Sequence, residues 1–181
     1  MSRTILAGSL ESLRQWLKGV TNWCDVAVVI LPTAAAFVQP TATAVSVGLL
    51  FEAVGARVEV LMLTQRVEAD NADMAQRIAA ADWVVLLDGS PLHAAAVWRG
   101  TLVGEALSRA KGIIALGATT TVLGSTMIDP RGGAPTKGLG YRPELLVSTA
   151  LPDEMMTRLT SLLSPATLRT LAAGDLIEVE D

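Results

Sequence analysis

The sequence predicts an α/β fold of three layers, in which a mostly parallel sheet carries helices on both faces. Short β-branched runs alternate with stretches of helical period from one end of the 181 residues to the other. The run Val26–Leu31 is continuously apolar, as expected for a strand that is covered on both faces. Such alternation is typical of parallel strands joined by crossover helices. Because the sequence has no internal repeat and no low-complexity linker, residues 1–181 are expected to form a single domain.

The strands are predicted from short apolar and β-branched runs bounded by turn-forming residues. The predicted strands are Thr4–Ala7, Val26–Leu31, Arg57–Leu63, Trp83–Leu87, Ile113–Leu116, Leu145–Ser148 and Leu176–Val179. The last of these is expected at an edge of the sheet. The stretch Asp129–Gly140 is rich in glycine and proline and is predicted to be a loop.

The helices are predicted from apolar periodicity and capping residues. Ser9 is suited to cap a helix whose residues Leu10, Leu13, Leu17 and Val20, with Trp16, share one face. Further helices are expected over 42–54 with Gly55 at its end, after the cap Asn71, at Thr101–Ala110, at Asp153–Leu163, and from Ser164-Pro165 onward.

Composition excludes several classes of protein. The chain is 51% hydrophobic and 18% charged, so it has the apolar surface that disordered chains lack. A net charge of −4 offers no electrostatic attraction for nucleic acid or an anionic membrane. The sequence shows no signal peptide and no apolar run near the ~20 residues of a membrane helix. We therefore expect a cytoplasmic protein, and the high apolar fraction favours a homodimer.

The single cysteine, Cys24, excludes an intrachain disulfide and fits a reducing compartment. It precedes a strand, which places it at the wrong end of the sheet for a nucleophile. We expect it to be a buried or partly buried structural thiol.

In parallel sheets, ligands bind beyond the carboxyl ends of the strands. Three stretches are predicted there: Pro32–Pro40, Asp88–His93 and Gly117–Gly124. In this order they resemble the cyanophycinase and dipeptidase E family, which is related to the class I glutamine amidotransferase fold. The resemblance covers most of residues 25–150 and rests on Leu31-Pro32-Thr33-Ala34-Ala35, Asp88-Gly89-Ser90-Pro91, Arg99-Gly100-Thr101, Gly117-Ala118-Thr119-Thr120-Thr121, Met127-Ile128 and Gly138-Leu139-Gly140.

The resemblance implies a serine hydrolase, but the positions that carry this chemistry are altered. Thr119 stands where the family has the nucleophilic serine, and Thr121 stands where it has a glycine. A β-branched residue at positive φ costs on the order of 1–3 kcal/mol, so Thr119 is poorly suited to the sharp turn of a nucleophile elbow. The stretch 145–150 lacks the family's histidine, and the acidic partner has no counterpart. A hydroxyl without a base is a weak nucleophile.

The leading hypothesis is a catalytically inactive relative that binds a small molecule, such as a small carboxylate or peptide, or a protein partner. Its pocket is expected at Asp88, Gly89, Ser90, Gly117, Ala118 and Thr120. The hydroxyls of Thr119, Thr120, Thr121, Ser125 and Thr126 suggest the start of a helix, whose N-terminus can bind a carboxylate or phosphate. Helix capping explains one or two of these hydroxyls, and both interpretations stay open.

The alternative is an active hydrolase, a peptidase or amidase, that uses Thr119 with His93, the only histidine. No third orienting group is evident, which favours a helix-surface role for His93. Asp88 either charges such a pocket or caps the adjacent turn. The residues match no metal-site spacing and no dinucleotide fingerprint, so neither a metal nor a cofactor is predicted. The four tryptophans are expected in the core or an interface.

Overall fold

A computed structural model describes residues 3–129, 131, 135–149, 151–162 and 168–180. Its strands, in chain order, are β1 (Arg3–Ala7), β2 (Ala27–Leu31), β3 (Arg57–Val60), β4 (Trp83–Leu86), β5 (Gly112–Leu116), β6 (Thr126–Met127), β7 (Thr136–Lys137), β8 (Leu146–Thr149), β9 (Leu168–Leu171) and β10 (Leu176–Glu180). Its α-helices are α1 (Leu10–Gly19), α2 (Pro40–Glu52), α3 (Ala72–Ala80), α4 (Pro91–Trp98), α5 (Leu102–Ser108) and α6 (Asp153–Leu162). Shorter 3-10 segments span Thr33–Ala35, Arg66–Asp70 and Gly117–Leu123.

The main sheet has six strands in the order β10-β1-β5-β4-β2-β3. Strands β1 to β5 run parallel, and β10 lies antiparallel to β1 at one edge. Side chains along each strand alternate between two apolar cores. In β4, for example, Val84 and Leu86 belong to one core and Val85 to the other. The fold is therefore a three-layer α/β arrangement with a mostly parallel sheet, as predicted.

The helices cover both faces of this sheet. Helices α1 and α2 pack on one face, where Phe51 is fully buried. Helices α3, α4 and α5 lie on the other face, where Trp98 is the largest fully buried side chain. Each central strand is hydrogen-bonded to a neighbouring strand on both sides and covered by helices on both faces, so a ligand can approach it only at its ends.

Several predicted caps are confirmed. The Ser9 hydroxyl accepts a hydrogen bond from the Ser12 N–H at the start of α1. Asn71 Oδ1 accepts from the Met74 N–H at the start of α3. These side chains occupy two of the backbone donors that a helix leaves unpaired in its first turn.

Other predictions need correction. Helix α2 begins at Pro40, since proline fits the first helical turn, and β3 ends at Val60 instead of Leu63. The stretch 146–149 does not join the main sheet, because it pairs in parallel with 168–171 in a separate two-stranded sheet. The helix expected to start at Ser164-Pro165 begins outside the described residues, and Leu168–Leu171 is a strand.

Two further expectations also differ from the structure. The stretch 129–140 is not loop throughout, because Thr136–Lys137 pairs antiparallel with Thr126–Met127. Cys24 is exposed, although it was expected to be buried or partly buried. It lies just before β2, at the amino-terminal edge of the sheet. In the described part of the chain, no helix is long and apolar enough to cross a bilayer.

The loops that follow β2 and β4 approach each other so closely that one position must be glycine. The Ser90 N–H donates to the Ala34 carbonyl at 2.8 Å. Beside it, Gly89 has φ +152, and a Cβ built there would lie 2.1 Å from the Ala34 oxygen. Contact at that distance with backbone cannot be relieved by a side-chain rotation, so one of the two loops would have to move.

We predict that Gly89→Ala lowers the free energy of unfolding by about 1–3 kcal/mol, because the new methyl group collides with backbone and the φ is strained. Urea denaturation monitored by circular dichroism measures this loss. Gly19→Ala is the matched control, since a Cβ at Gly19 meets no atom within 4 Å. Equal stability of the two variants would contradict the close approach of the loops.

Candidate functional site

Three loops meet beyond the carboxyl ends of β2, β4 and β5, where a parallel sheet is expected to hold its ligand site. The loop after β2 accepts the Ser90 N–H described above. The loop after β4 is joined to the loop after β5 by the Thr119 hydroxyl, which donates to the Leu87 carbonyl at 2.7 Å. These contacts bring all the predicted pocket residues into one region of the fold, between neighbouring strands β4 and β5.

Asp88 is the centre of this region. Its Oδ1 atom accepts hydrogen bonds from the backbone N–H groups of Gly89 and Ala118, each at 2.8 Å. Gly117, with φ +51, lies directly beneath the carboxylate, and a Cβ built on it would lie 2.2 Å from Asp88 Cγ. A carboxylate of the chain itself therefore occupies two backbone donors that come from two different loops. The prediction that Asp88 caps its own turn holds for the Gly89 N–H, and the bond to Ala118 adds a second loop.

Thr119 is fully buried and is not strained. Thr119 does not have a positive φ, whereas Gly117 does. The sharp turn expected at Thr119 has thus moved to the glycine two residues earlier. Because the Thr119 hydroxyl donates its proton to the Leu87 carbonyl, it is held as a structural link between two loops.

The neighbouring threonine hydroxyls are also turned toward the backbone. Thr120 donates to the Gly117 carbonyl at 2.7 Å, and Thr121 donates to the Ala118 carbonyl at 2.9 Å. The helix suggested by the hydroxyl cluster is present as a 3-10 helix, Gly117–Leu123, which ends before Ser125. Thr126 lies in strand β6 and is not part of this segment.

His93 lies in the first turn of α4, which Ser90 caps by accepting from the His93 N–H. Its ring nitrogen Nε2 is 2.8 Å from the Thr64 carbonyl, and because a carbonyl only accepts, Nε2 carries the proton. The ring also packs edge-on against Phe37 at 4.8 Å between centroids. Among the described residues, the hydrogen bonds of His93 and Thr119 go to separate backbone carbonyls and do not join the two side chains.

A second set of buried hydrogen bonds fixes the loop after β2, next to the candidate site. Thr33, which follows β2, donates to the Leu63 carbonyl at 2.7 Å and accepts from the Trp98 indole N–H at 3.2 Å. The sequence predicted Trp98 only as a core or interface residue, and this link was not predicted. The position of Thr33 directly after Pro32 and a buried strand could have predicted such a bond, because a buried hydroxyl needs a hydrogen-bond partner.

No protein-family model matches the chain, and no curated protein matches it. The chain does match solved structures. A peptidase from an acI-B1 actinobacterium superimposes with a TM-score of 0.73 at 17% identity, over 99% of this chain and 83% of the other. A peptidase E-type protein from Listeria monocytogenes EGD-e gives a TM-score of 0.69 at 15% identity, over 99% and 94%.

The chain therefore has a peptidase E-like fold. At 15% and 17% identity, this likeness concerns the fold and carries no residue of the site with it. What the site can do must be argued from its own geometry.

We predict that Asp88→Ala lowers the free energy of unfolding by about 1 kcal/mol, because two backbone donors lose their acceptor and water replaces it in part. Asp88→Asn keeps one oxygen and should lose less. Added acetate should recover stability in Asp88→Ala and leave the wild type unchanged, since it binds only the vacated donors. Thermal unfolding with and without acetate measures this.

Asp73→Ala is the control for the acetate effect, because Asp73 is exposed and pairs with Arg77 on the surface of α3. Acetate that stabilises Asp88→Ala and Asp73→Ala equally would show that the effect does not come from the Gly89 and Ala118 donors.

Proposed function

We propose that this chain is a non-hydrolytic member of the peptidase E-like fold, and that it acts by binding a small molecule or a protein partner. The observation that carries the proposal is the state of the candidate site, in which Asp88 fills the backbone donors and the Thr119 hydroxyl is bonded to the Leu87 carbonyl. Each feature removes a different requirement of acyl transfer.

The first requirement is an activated nucleophile. A hydroxyl attacks a carbonyl efficiently when a neighbouring base takes its proton in the transition state. Thr119 is fully buried, and its proton points to a carbonyl oxygen, which cannot serve as a base. The Nε2–H of His93 is likewise engaged with the Thr64 carbonyl. This arrangement supports a structural role for both side chains.

The second requirement is a set of donors for the negative oxygen of the tetrahedral intermediate. The backbone N–H groups of Gly89 and Ala118 point to one place and would suit an oxyanion. The Asp88 carboxylate already accepts from both. Its negative charge would also repel a developing oxyanion at close range. The site thus resembles an anion-binding arrangement whose anion is part of the chain.

We predict that the purified protein does not hydrolyse aspartyl dipeptides and that a fluorophosphonate probe does not label Thr119, because no base activates a buried hydroxyl. Release of amino acids and mass spectrometry of the probe-treated protein measure these outcomes. The actinobacterial peptidase that shares the fold serves as the comparison enzyme.

Thr119→Ser and Thr119→Val separate structure from catalysis. Serine keeps the bond to Leu87 and should be nearly as stable as the wild type, whereas valine leaves a buried carbonyl unpaired and should lose about 1–3 kcal/mol. Hydrolysis by the wild type that Thr119→Ala abolishes would overturn the proposal and restore the alternative in which Thr119 acts with His93.

A homodimer remains our proposal for the assembly, and the outer face of α2 supports it. Val45 and Leu49 lie one turn apart and are 52% and 59% exposed, and the exposed residues from Thr41 to Leu49 carry no charge. Just before α2, Phe37 and Val38 are 77% and 67% exposed. An uncharged apolar face meets a copy of itself without burying an unpaired charge, which favours a second copy as its partner. We place the protein in the cytoplasm on composition alone.

We predict that light scattering after size-exclusion chromatography gives twice the 18.9 kDa of one chain. Val45→Asp with Leu49→Asp should give monomers, because dimerisation would then bury like charges. Val67→Asp is the control, since Val67 is 79% exposed on the 3-10 segment Arg66–Asp70, which packs on α4 and α5 instead. A monomeric wild type would contradict the proposal.

A further inference from the structure

A cavity of about 360 Å³ opens at the amino-terminal ends of the parallel strands, at the opposite end of the sheet from Asp88. Three of the four tryptophans, Trp16, Trp23 and Trp83, line it, together with Arg3 and Glu178. Its volume is within the range of small-molecule sites, which combine apolar walls with a few polar groups. Neither the fold comparison nor the candidate site accounts for this concentration of aromatic and charged side chains.

The three indole rings form a wall with a fixed geometry. Trp23 and Trp83 stack at 5.9 Å between centroids, and Trp16 meets Trp23 edge-on at 5.8 Å with planes at 88°. The Trp16 indole N–H donates to Glu178 Oε1 at 2.7 Å, which ties the ring to the last strand. Trp23 and Trp83 are only 7% and 5% exposed, whereas Trp16 is half-buried, so Trp16 offers most of the ring surface that a ligand could contact.

Two opposite charges lie at this wall without pairing with each other. The Arg3 guanidinium carbon is 4.5 Å from the centroid of Trp83. Within the described residues, neither Arg3 nor Glu178 takes part in an ion pair. In the β1–β10 register Arg3 is directly opposite Glu180. Glu178 is opposite Ile5 and is therefore a diagonal neighbour of Arg3 on the same face of the sheet, with Cα atoms roughly 7–8 Å apart.

The third charged side chain of the lining is already engaged. Asp82 accepts from the Ala27 N–H at 3.0 Å and pairs with Lys111 at 3.1 Å, and these two contacts lower the pKa of its carboxyl. Asp82 is therefore ionised and largely balanced by Lys111. Among the described lining residues, Arg3 and Glu178 are the cation and the anion that form no ion pair.

We propose that this cavity binds a free amino acid with an apolar or aromatic side chain. The α-carboxylate accepts from the Arg3 guanidinium, the ammonium group donates to Glu178, and the side chain packs against the indole wall. A purely cationic ligand would meet the like charge of Arg3, and a purely anionic ligand would meet the like charge of Glu178, so each would gain from only one of the two side chains. A zwitterion pairs both. The cavity is at the opposite end of the strands from Asp88, so this proposal does not depend on whether Thr119 is catalytic.

Isothermal titration calorimetry with three probes tests the charge pattern. The probes are L-phenylalanine, 2-phenylethylamine, which lacks the carboxylate, and 3-phenylpropionate, which lacks the ammonium group. We expect L-phenylalanine to bind about tenfold more tightly than either analogue, or better, because each analogue loses a charge-assisted hydrogen bond.

Two variants assign each charge to its partner. Arg3→Gln should weaken binding of L-phenylalanine and 3-phenylpropionate and leave 2-phenylethylamine unaffected or bound more tightly. Glu178→Gln should do the reverse. Arg109→Gln and Glu105→Gln are the matched controls, because these residues pair at 3.8 Å on helix α5 and do not line the cavity. All four changes are at exposed side chains, and circular dichroism confirms folding before titration.

Arg3→Lys gives a further check, since it keeps the charge and loses the two-pronged contact with a carboxylate, and it should bind L-phenylalanine with intermediate affinity. Absence of L-phenylalanine binding at millimolar concentration overturns the proposal. Equal binding of the three probes, or binding that Arg3→Gln and Glu178→Gln leave unchanged, overturns it as well. A negative result in this titration would not bear on the proposed lack of hydrolysis, which the dipeptide and probe experiments test separately.

Discussion

The hydrogen bonds of the Asp88 carboxylate hold together the loops at the carboxyl ends of the central strands. Two parallel strands, β4 and β5, end side by side, and their loops must turn away without leaving backbone donors unpaired. Asp88 pairs one backbone donor in each loop, since its Oδ1 atom accepts from the N–H groups of Gly89 and Ala118. The close contact requires Gly117 to lack a side chain, and it places the sharp turn at that glycine. Thr119 is thereby left in relaxed backbone, where its hydroxyl can bond to Leu87.

The sheet could be predicted from the sequence because each central strand is a short apolar run covered on both faces. The run that ends at Leu31 and the run Trp83–Leu87 have no polar residue that could have been mistaken for a helix surface. The separate pairing of 146–149 with 168–171 could not be predicted, because register between distant segments leaves no trace in local pattern. Cys24 shows the same limit: its exposure depends on the loop around it, in which Asp25 adopts a left-handed conformation.

Much of the candidate site was also open to prediction, but its chemistry was not. Order and spacing were enough to place Asp88, Gly89, Gly117 and Thr119 together, because all follow neighbouring strands. The direction in which each side chain points is a tertiary property. Nothing in the stretch 117–121 says that three threonine hydroxyls turn inward to carbonyls, or that His93 bonds to Thr64. The tryptophan-lined cavity was missed for a related reason, since Trp16, Trp23 and Trp83 are far apart in sequence and each resembles an ordinary core residue.

The two ends of the sheet differ in a way that bears on how such a fold can change function. A catalytic elbow stores backbone strain, and the surrounding structure has to maintain it. At the carboxyl end of this sheet that strain is absent at Thr119, and the hydroxyls of Thr119 and Thr120 and one oxygen of Asp88 are bonded to backbone groups of the chain. At the amino end, the Arg3 guanidinium lies over Trp83 and Glu178 accepts from the Trp16 indole N–H, while both side chains stay exposed and form no ion pair with each other. Polar groups that are hydrogen-bonded within the chain stabilise the fold and are not open to a ligand. Charged side chains beside apolar surface that form no ion pair can instead pair with a ligand. These exposed charges are the physical ground for our proposal that recognition takes place at the amino-terminal ends of the strands.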